Sequence, residues 1–540
     1  MVTGVVIEDP ARPEVVSGLP LADLLAQLGP AVRVSAAAAG QGRSLDAVQL
    51  QGITLDSRAA RAGDLWCALP GARTHGARFA QQAADGGAVA ALTDPAGQED
   101  CERAGLATLV VEDPRAVMAT AAALILGRPA ERLRMIGVTG TNGKTSVTTM
   151  LHRTLLELGR PSGVIGTSGT FFRDTDGHDH RIATVRTTPE SPELHGLLAR
   201  MAEDGVDTCA MEVSSHALVL HRADEVVFEA AAFTNLTQDH LDFHPSMEDY
   251  FQAKASLFLP GRCRHAVICT DDDYGTRLAA MAQERGIPTV TYATLPGRPA
   301  DHRAEAITFD GFGSRFVLAG PAGARPELRS ALPGRHYVAN TIAVALLLDA
   351  VGIAPSEAAD ALGRAATVPG RMELVSRAPV RGVVDYSHTE DSLQQALSTL
   401  RSLPDVQRIL VVMGAGGDRD RTKRPHMGAV AAAGADVVIV TDDNPRSEDP
   451  ARIRAEVLGG IPADTGAEVL DVGGRREAID RAAHLARPGD LVLVAGKGAE
   501  TGQDIGGQVL PFDDRVELRR ALAARHPAQD DTTPQEAEEC

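Results

Sequence analysis

Two rhythms alternate along this chain. Short apolar runs give way to longer stretches in which apolar positions recur at helical spacing, with Gly, Pro, Asn or Asp between them. Ala88–Leu92 and Ala107–Val111 predict strands; Phe79–Gly86 and Arg115–Leu126 predict helices. From Arg132 the signal strengthens. Met135–Val138 predicts a strand running into a Gly-rich turn, and Ser146–Leu158 a helix. Thr208–Val213, Ala230–Thr234 and Ala266–Cys269 predict further strands, and Thr341–Ala350 a buried helix. A second series starts near Gly370. Its strands are Val383–Tyr386, Ile409–Met413, Val437–Thr441 and Leu491–Ala495; its helices are Ser392–Leu400, Ala451–Leu458 and Glu477–Ala486.

Strand-then-helix order predicts α/β architecture with mostly parallel, doubly wound sheets. Residues 46–130 form a small N-terminal α/β domain on this reading, 131–370 a central domain and 371–525 a Rossmann-like C-terminal domain. Residues 1–45 are rich in Ala, Gly, Pro and Val, with one short helical candidate at Leu19–Leu28; they read as a loosely attached extension. Residues 526–540 read as an acidic, disordered tail.

The chain has 540 residues, 44% apolar and 23% charged, which is the composition of a folded globular protein. A net charge of −19 argues against a nucleic-acid surface as its main business. No run approaches the roughly 20 apolar residues of a membrane span. The start lacks a basic segment followed by an apolar one, so no secretory signal is expected. Six scattered cysteines without a C-x-x-C pair point to a reducing cytoplasm. Lysine usage is more informative. Four lysines (Lys144, Lys254, Lys423 and Lys497) stand against 49 arginines. Such a chain keeps lysine where a compact ammonium, or an amine of lowered pKa, is needed and a guanidinium fails.

Lys144 lies in a phosphate loop. Gly137, Gly140 and Gly143 precede Lys144 and Thr145 between a strand and a helix, where backbone N–H groups can cradle phosphate oxygens. Lys144 would reach the terminal phosphates and the Thr145 hydroxyl a Mg²⁺ ion. Val138 stands where the strict spacing has glycine, so the loop is a variant. Glu212 ends a strand beside this loop, and His240 follows another strand among Asp239, Asp242 and His244. Mg²⁺ beside phosphates needs one or two protein ligands, and no H-E-x-x-H zinc pattern is present. Lys254 lies on a predicted helical run, close in sequence to His240. A lysine amine of lowered pKa can take up CO₂ as a carbamate; arginine cannot. Gly414, Gly416 and Gly417 after a strand give only a weak dinucleotide signal.

From Thr54 to Arg515 the chain resembles the Mur ligases, and among them the ligase that adds the third residue of the peptide. The motifs are Thr54–Arg58 with Gly63–Leu65, Gly137–Thr145, Arg186–Glu190, Met211–Leu218 and Tyr250–Lys254. Leu332–Arg335 with Asn340, Val368–Glu373, Asp385–Thr389, Gly416–Arg421, Asp443–Arg446 and Gly496–Glu500 complete the series. All four lysines fall within or beside these segments. The family shows Ala, Pro and His where this chain has Ser387, Glu390 and Ala499.

The resemblance implies an ATP-dependent amide ligase. It would add diaminopimelate to UDP-MurNAc-L-Ala-D-Glu through an acyl phosphate, in peptidoglycan precursor synthesis. ATP would contact Thr139, Gly140, Thr141, Asn142, Gly143, Lys144, Thr145 and Ser146, with Asn340, Arg371, Asp385 and His388. Lys144, Glu212, His240 and carbamylated Lys254 would be catalytic; Thr145, Glu212, His240 and Lys254 would hold Mg²⁺. Ser57, in a uridine-binding N-terminal domain, would take the UDP-muramoyl group together with Thr187, Thr188, Ser214 and Arg222. Arg419, Asp443, Asn444, Arg446, Gly496 and Glu500 would take the amino acid. Arg446 can grip the second carboxylate that diaminopimelate has and lysine lacks. A monomer is expected. Two rival readings stand: a paralogue joining another amino acid or acceptor, motivated by Ala499 and residues 1–45, and a weakly catalytic nucleotide-binding scaffold, motivated by Ser387 and Glu390.

Overall fold

The structure, a computed structural model, describes residues 5–6, 12–35, 45–71, 74–182, 184, 186–310, 312–323, 325–365 and 368–525. Among the described residues three main sheets form, each in α/β surroundings.

The small sheet runs Arg33–Val34, Ala107–Val110, Ala90–Thr93, Asp64–Ala68, Gly52–Thr54. All its pairs are parallel except the first. Helix Pro114–Ile125 covers it. Asp113 caps this helix by accepting from the Arg115 N–H, and Pro114 sits where a missing N–H costs nothing.

Residues 12–35 correct the sequence reading: they are built into this domain and are no loose extension. Helix Leu21–Leu28 buries Leu21 and Leu24 against Leu50, Leu65 and Ile125. Leu19–Pro20 pairs with Gln49–Leu50, and Arg33–Val34 is the edge of the sheet. Arg12 forms an ion pair with the fully buried carboxylate of Asp64. Glu14 N–H and Val15 N–H donate to Glu203 of the central domain, at 2.9 and 2.8 Å. Two-residue strands carry no readable periodicity, which is why the sequence pattern hid them. Residues 36–44 and the acidic 526–540 segment lie outside the described residues.

In the central sheet, Arg134–Thr139 lies between Thr208–Glu212 and Phe228–Phe233, parallel to both. Ser162–Gly166 follows on one side, Cys263–Cys269 and Thr289–Ala293 on the other. All five residues of Thr208–Glu212 are buried, and its centre, Cys209–Met211, is apolar on both faces. Helices Lys144–Glu157 and Arg335–Ala350 pack on one face through Val147, Leu151, Val338 and Ile342. Helix Ser191–Glu203 packs on the other through Leu194 and Leu197. The sequence reading missed the antiparallel edge His302–Asp310, Gly313–Ala319, Glu327–Ser330, whose exposed positions break up the apolar signal.

The C-terminal sheet runs Glu373–Ser376, Arg381–Asp385, Leu491–Ala495, Ile409–Met413, Val437–Val440, Glu468–Asp471. It is parallel beyond the first pair. Helix Glu390–Arg401 starts with a capping box in which Thr389 and Ser392 satisfy each other's backbone N–H. Arg475 and Asp514 form a bidentate pair with both side chains fully buried. Among the described residues, no helix is long and apolar enough to cross a membrane.

Candidate active site

The chain leaves Arg134–Thr139 where its neighbours in the sheet belong to connections on opposite sides. A crevice opens at such a point at the carboxyl ends of the strands. Here it faces the carboxyl ends of the C-terminal sheet, and the cleft between them encloses about 470 Å³.

The phosphate loop forms its floor. Gly143 precedes helix Lys144–Glu157 at φ 89°, a left-handed conformation that glycine adopts freely. A Cβ there would also come within 2.6 Å of Asn340 Oδ1, which places Asn340 against the loop. Lys144 Nζ donates to the carbonyls of Gly140 and Thr141, at 2.9 and 2.8 Å. Lys254, 1% exposed, donates to the same Gly140 carbonyl at 2.8 Å. Burial, then the charge of Lys144, push the Lys254 amine well below the ordinary lysine range. Burial likewise lowers Lys144, with Glu212 and Asp239 opposing.

Glu212 is buried at the end of its strand. It accepts from the Thr167 N–H at 2.9 Å and from the Thr167 hydroxyl at 3.2 Å. Burial lowers His240 to about 4, so at neutral pH its ring is uncharged and able to ligate a metal. Burial would raise the Asp239 carboxyl, but His240 and His388, protonated in the acid range where Asp239 titrates, and Lys423 hold it at about 2.

Thr187 and Thr188 meet Glu212 and Ser214: the Thr188 hydroxyl donates to the Glu212 carbonyl at 2.7 Å, and Thr187 and Thr167 share a 3.0 Å hydrogen bond. Arg222 is held by Glu190 at 2.9 Å, and Glu190 also binds Arg115 of the N-terminal domain at 2.8 Å. The Nε of Arg222 is buried without a partner among the described residues.

The C-terminal domain closes the cleft. Arg371 donates to the Thr145 hydroxyl at 3.1 Å and lies 4.2 Å from the Tyr386 ring centroid. Asn142 donates to Asp391 at 3.0 Å. His388, lowered to about 4 by burial and then by Lys423, lines the cleft with Arg419, Asp443, Asn444, Arg446, Gly496 and Glu500. Arg446 donates to the Gly417 carbonyl at 2.6 Å. Gly496, at φ 121°, leaves room for Asp443 where any Cβ would strike its carboxylate.

Several expected residues do not line this cleft. Ser57 lies in the N-terminal domain, bonded to Gln82 at 2.8 Å. Thr139 and Ser146 are buried in the strand and helix beside the loop. Gly140 offers its carbonyl to the two lysines. Asp385 accepts from the N–H groups of Met372 (2.7 Å) and Ser387 (2.9 Å), so it braces the hinge backbone.

The three departures have simple physical places. The Ser387 hydroxyl adds a hydrogen bond to Asp385. Glu390 is exposed at the first position of its helix, where an acid suits the dipole and proline is also tolerated. Ala499 sits with its backbone N against hinge residue Gly370. The sequence reading missed Thr167 altogether; it placed Glu190, Asp239 and Lys497 inside motif segments without a role of their own, and Lys423 and Lys497 also stood out through the scarcity of lysine.

Three family models match: Mur ligase family, catalytic domain, over residues 49–125; Mur ligase middle domain over 138–348; and Mur ligase, glutamate ligase domain, over 370–498. A UDP-N-acetylmuramoyl-L-alanyl-D-glutamate–2,6-diaminopimelate ligase of Streptomyces coelicolor is 48% identical, over 95% of this chain and 98% of its own. A Corynebacterium glutamicum protein of the same name is 44% identical, over 88% and 92%. A solved structure of a ligase with that name is 32% identical, with a TM-score of 0.62, covering 90% of this chain and 97% of its own. The chain belongs to the Mur ligase family.

Proposed function

We propose that this protein is an ATP-dependent ligase joining diaminopimelate to UDP-MurNAc-L-Ala-D-Glu, a step of peptidoglycan precursor synthesis. One observation carries the reading. The phosphate loop with Lys144 and Thr145 lines the same cleft as Asn444, Arg446 and Glu500 of the other sheet. The relatives named above, similar over nearly their whole length, support it.

The substrate carboxylate attacks the γ-phosphorus of ATP, the bond to the β-bridging oxygen breaks, and ADP leaves. The amine of the incoming amino acid then attacks the acyl carbon, loses a proton and expels phosphate. Lys144 and Arg371 offset the charge that moves onto the phosphoryl oxygens. The unpartnered Arg222 Nε suits an anionic group of the UDP substrate. Arg446 and Glu500 suit a distal end that carries both a carboxylate and an ammonium. Closure of the C-terminal domain over the loop limits hydrolysis of the acyl phosphate.

The residues present fit Mg²⁺. Thr145 and Glu212 offer hard oxygen donors and His240 a neutral imidazole. Mg²⁺ beside phosphates takes one or two protein ligands and keeps water and phosphate oxygens for the rest. When bound, Mg²⁺ would neutralise phosphate charge. Lys254 would join this set after its neutral amine adds to CO₂ and releases a proton, giving a carbamate. Five described cysteines are buried and free, in keeping with a cytoplasmic address.

The test is phosphate release with ATP, Mg²⁺ and UDP-MurNAc-L-Ala-D-Glu, offering meso-diaminopimelate, LL-diaminopimelate and L-lysine separately. Products are identified by mass. Turnover with one diaminopimelate isomer is expected. Absence of turnover with all three, while ATP still binds, would sink this reading in favour of another amino acid or acceptor.

A further inference from the structure

Lys144 and Lys254 serve the phosphate chemistry; Lys497 has no evident use in the reaction, and it lies at the amino-acid end of the cleft. Its side chain is fully buried, although a lysine ammonium is normally solvated. It follows strand Leu491–Ala495 in a tight loop: Gly496 and Gly498 have φ of 121° and 54°, and Glu500 N–H donates to the Lys497 carbonyl at 3.0 Å. The loop turns the ammonium inward, onto two residues of the amino-acid end of the cleft. Nζ donates to Asn444 Oδ1 at 2.8 Å and to Glu500 Oε2 at 2.8 Å.

These bonds fix both partners. Asn444 Oδ1 accepts from Lys497 and from Asp504 N–H (3.0 Å), which uses both its lone pairs. That settles the amide orientation, because both partners are donors only. Asn444 Nδ2 then donates to Glu500 Oε2 at 2.9 Å. Glu500 Oε2 thus receives two hydrogen bonds, and no described residue donates to Oε1, which is left for a ligand. A guanidinium would not replace this point charge between two acceptors on opposite loops.

The charge has a second effect. Glu500 is the carboxylate available to a distal ammonium, and Lys497 already offsets part of its charge from 2.8 Å. Arg446 and Arg419 add further positive charge. A side chain ending in a lone ammonium therefore meets a weakened attraction. One ending in an ammonium and a carboxylate recovers the difference through Arg446.

We propose that Lys497 is the positioning and specificity-determining residue of the amino-acid site: it aims Asn444 and Glu500 and disfavours substrates with a bare distal ammonium. This rests on the diaminopimelate reading above.

The experiment uses full-length enzyme and steady-state phosphate release, comparing wild type with Lys497→Met and Lys497→Gln. For Lys497→Met, KM for diaminopimelate should rise about tenfold or more, while KM for ATP and for the UDP substrate stays within about threefold. The preference for diaminopimelate over L-lysine, as a ratio of kcat/KM values, should fall about tenfold. Lys497→Gln keeps a donor toward Asn444 but no charge. It should lose the same preference with a smaller rise in KM. Equal rises for all three substrates, or an unchanged KM and preference in both variants, would overturn the proposal. If Lys497→Met does not fold, Lys497→Gln alone decides by the preference ratio. Should wild type turn over a different amino acid, the diaminopimelate reading fails. The KM for that amino acid then scores Lys497 in the same way.

Discussion

Lys144 and Lys254 share one acceptor. Both ammonium groups reach the carbonyl of Gly140, at 2.9 and 2.8 Å, from helices that follow different strands. Two like charges on one oxygen in a buried setting destabilise the charged form of whichever is more deeply enclosed. Lys254 is that one: burial and then the Lys144 charge push its amine well below the ordinary lysine range. A lysine whose charged form is so disfavoured, beside a phosphate loop, suits carbamylation. Lys254→Arg keeps a positive charge but no nucleophile, so its phosphate release should fall about 10²-fold or more. Lys254→Ala should be equally slow and partly rescued by a short-chain carboxylate. Full activity in Lys254→Arg would rule the carbamate out.

The cleft is held shut by two contacts from the C-terminal domain onto the phosphate loop, Arg371 to Thr145 and Asp391 to Asn142. Asp391 is buried enough to raise its carboxyl above the usual range, so its bonds to Asn142 and Gln395 are made in a partly dry setting. Asp391→Ala should lower kcat by about three- to tenfold, in line with one lost hydrogen bond of about 1 kcal/mol. It should also raise phosphate release in the absence of the amine, because a looser lid admits water. Tight coupling in the variant would show that this contact does not govern closure.

The parallel strands and the loop after Met135–Val138 were legible because burial on both faces writes a continuous apolar run. The Gly-rich turn onto Lys144 and Thr145 leaves few structural alternatives. Thr141 to Thr145, Glu212 and His240 could be placed at the cleft because each ends or follows a readable strand or turn; Lys254, on helix Met247–Ala255, stood out only through the scarcity of lysine. What stayed hidden depends on partners distant in sequence. Arg12 reaches Asp64, Glu190 joins Arg115 to Arg222, and Lys497 reaches Asn444; no local pattern encodes such pairs. Thr139, Ser146 and Asp385 were assigned to the nucleotide by motif membership; Thr139 and Ser146 are buried beside the loop, and Asp385 accepts from the hinge N–H groups of Met372 and Ser387.

Stability should fall as pH drops from about 6.5 to about 4. His152 and His195 are buried and lowered to about 4. His195 reaches the Asp224 carbonyl through Nε2, and its Nδ1 is buried without a partner among the described residues, so a second ring proton has no acceptor. Both rings are neutral in the folded chain and protonated in the unfolded chain across this window. Unfolding therefore takes up protons, and the stabilisation present above pH 6.5 is lost on the way to pH 4. Each ring contributes a slope of up to about 1.4 kcal/mol per pH unit. Denaturant unfolding of His195→Gln between pH 4 and 7 should show a shallower dependence than wild type. An identical slope would mean His195 titrates normally.

Gly370 sits at the turn from the central into the C-terminal domain with φ 66°. A Cβ there would fall inside contact distance of the backbone N of Ala499 and of Gly498, the loop that carries Lys497 and Glu500. The hinge and the amino-acid loop therefore touch backbone to backbone in the closed arrangement, and only glycine permits it. Gly370→Ala adds about 1–2 kcal/mol of left-handed backbone strain as well as the collision. The expected result is a kcat lowered about tenfold or more, while ATP binding measured directly changes less than about threefold. KM for the amino acid should rise with the fall in kcat, because the loop that binds it is the one displaced. Wild-type kcat in Gly370→Ala would mean that catalysis does not require this contact.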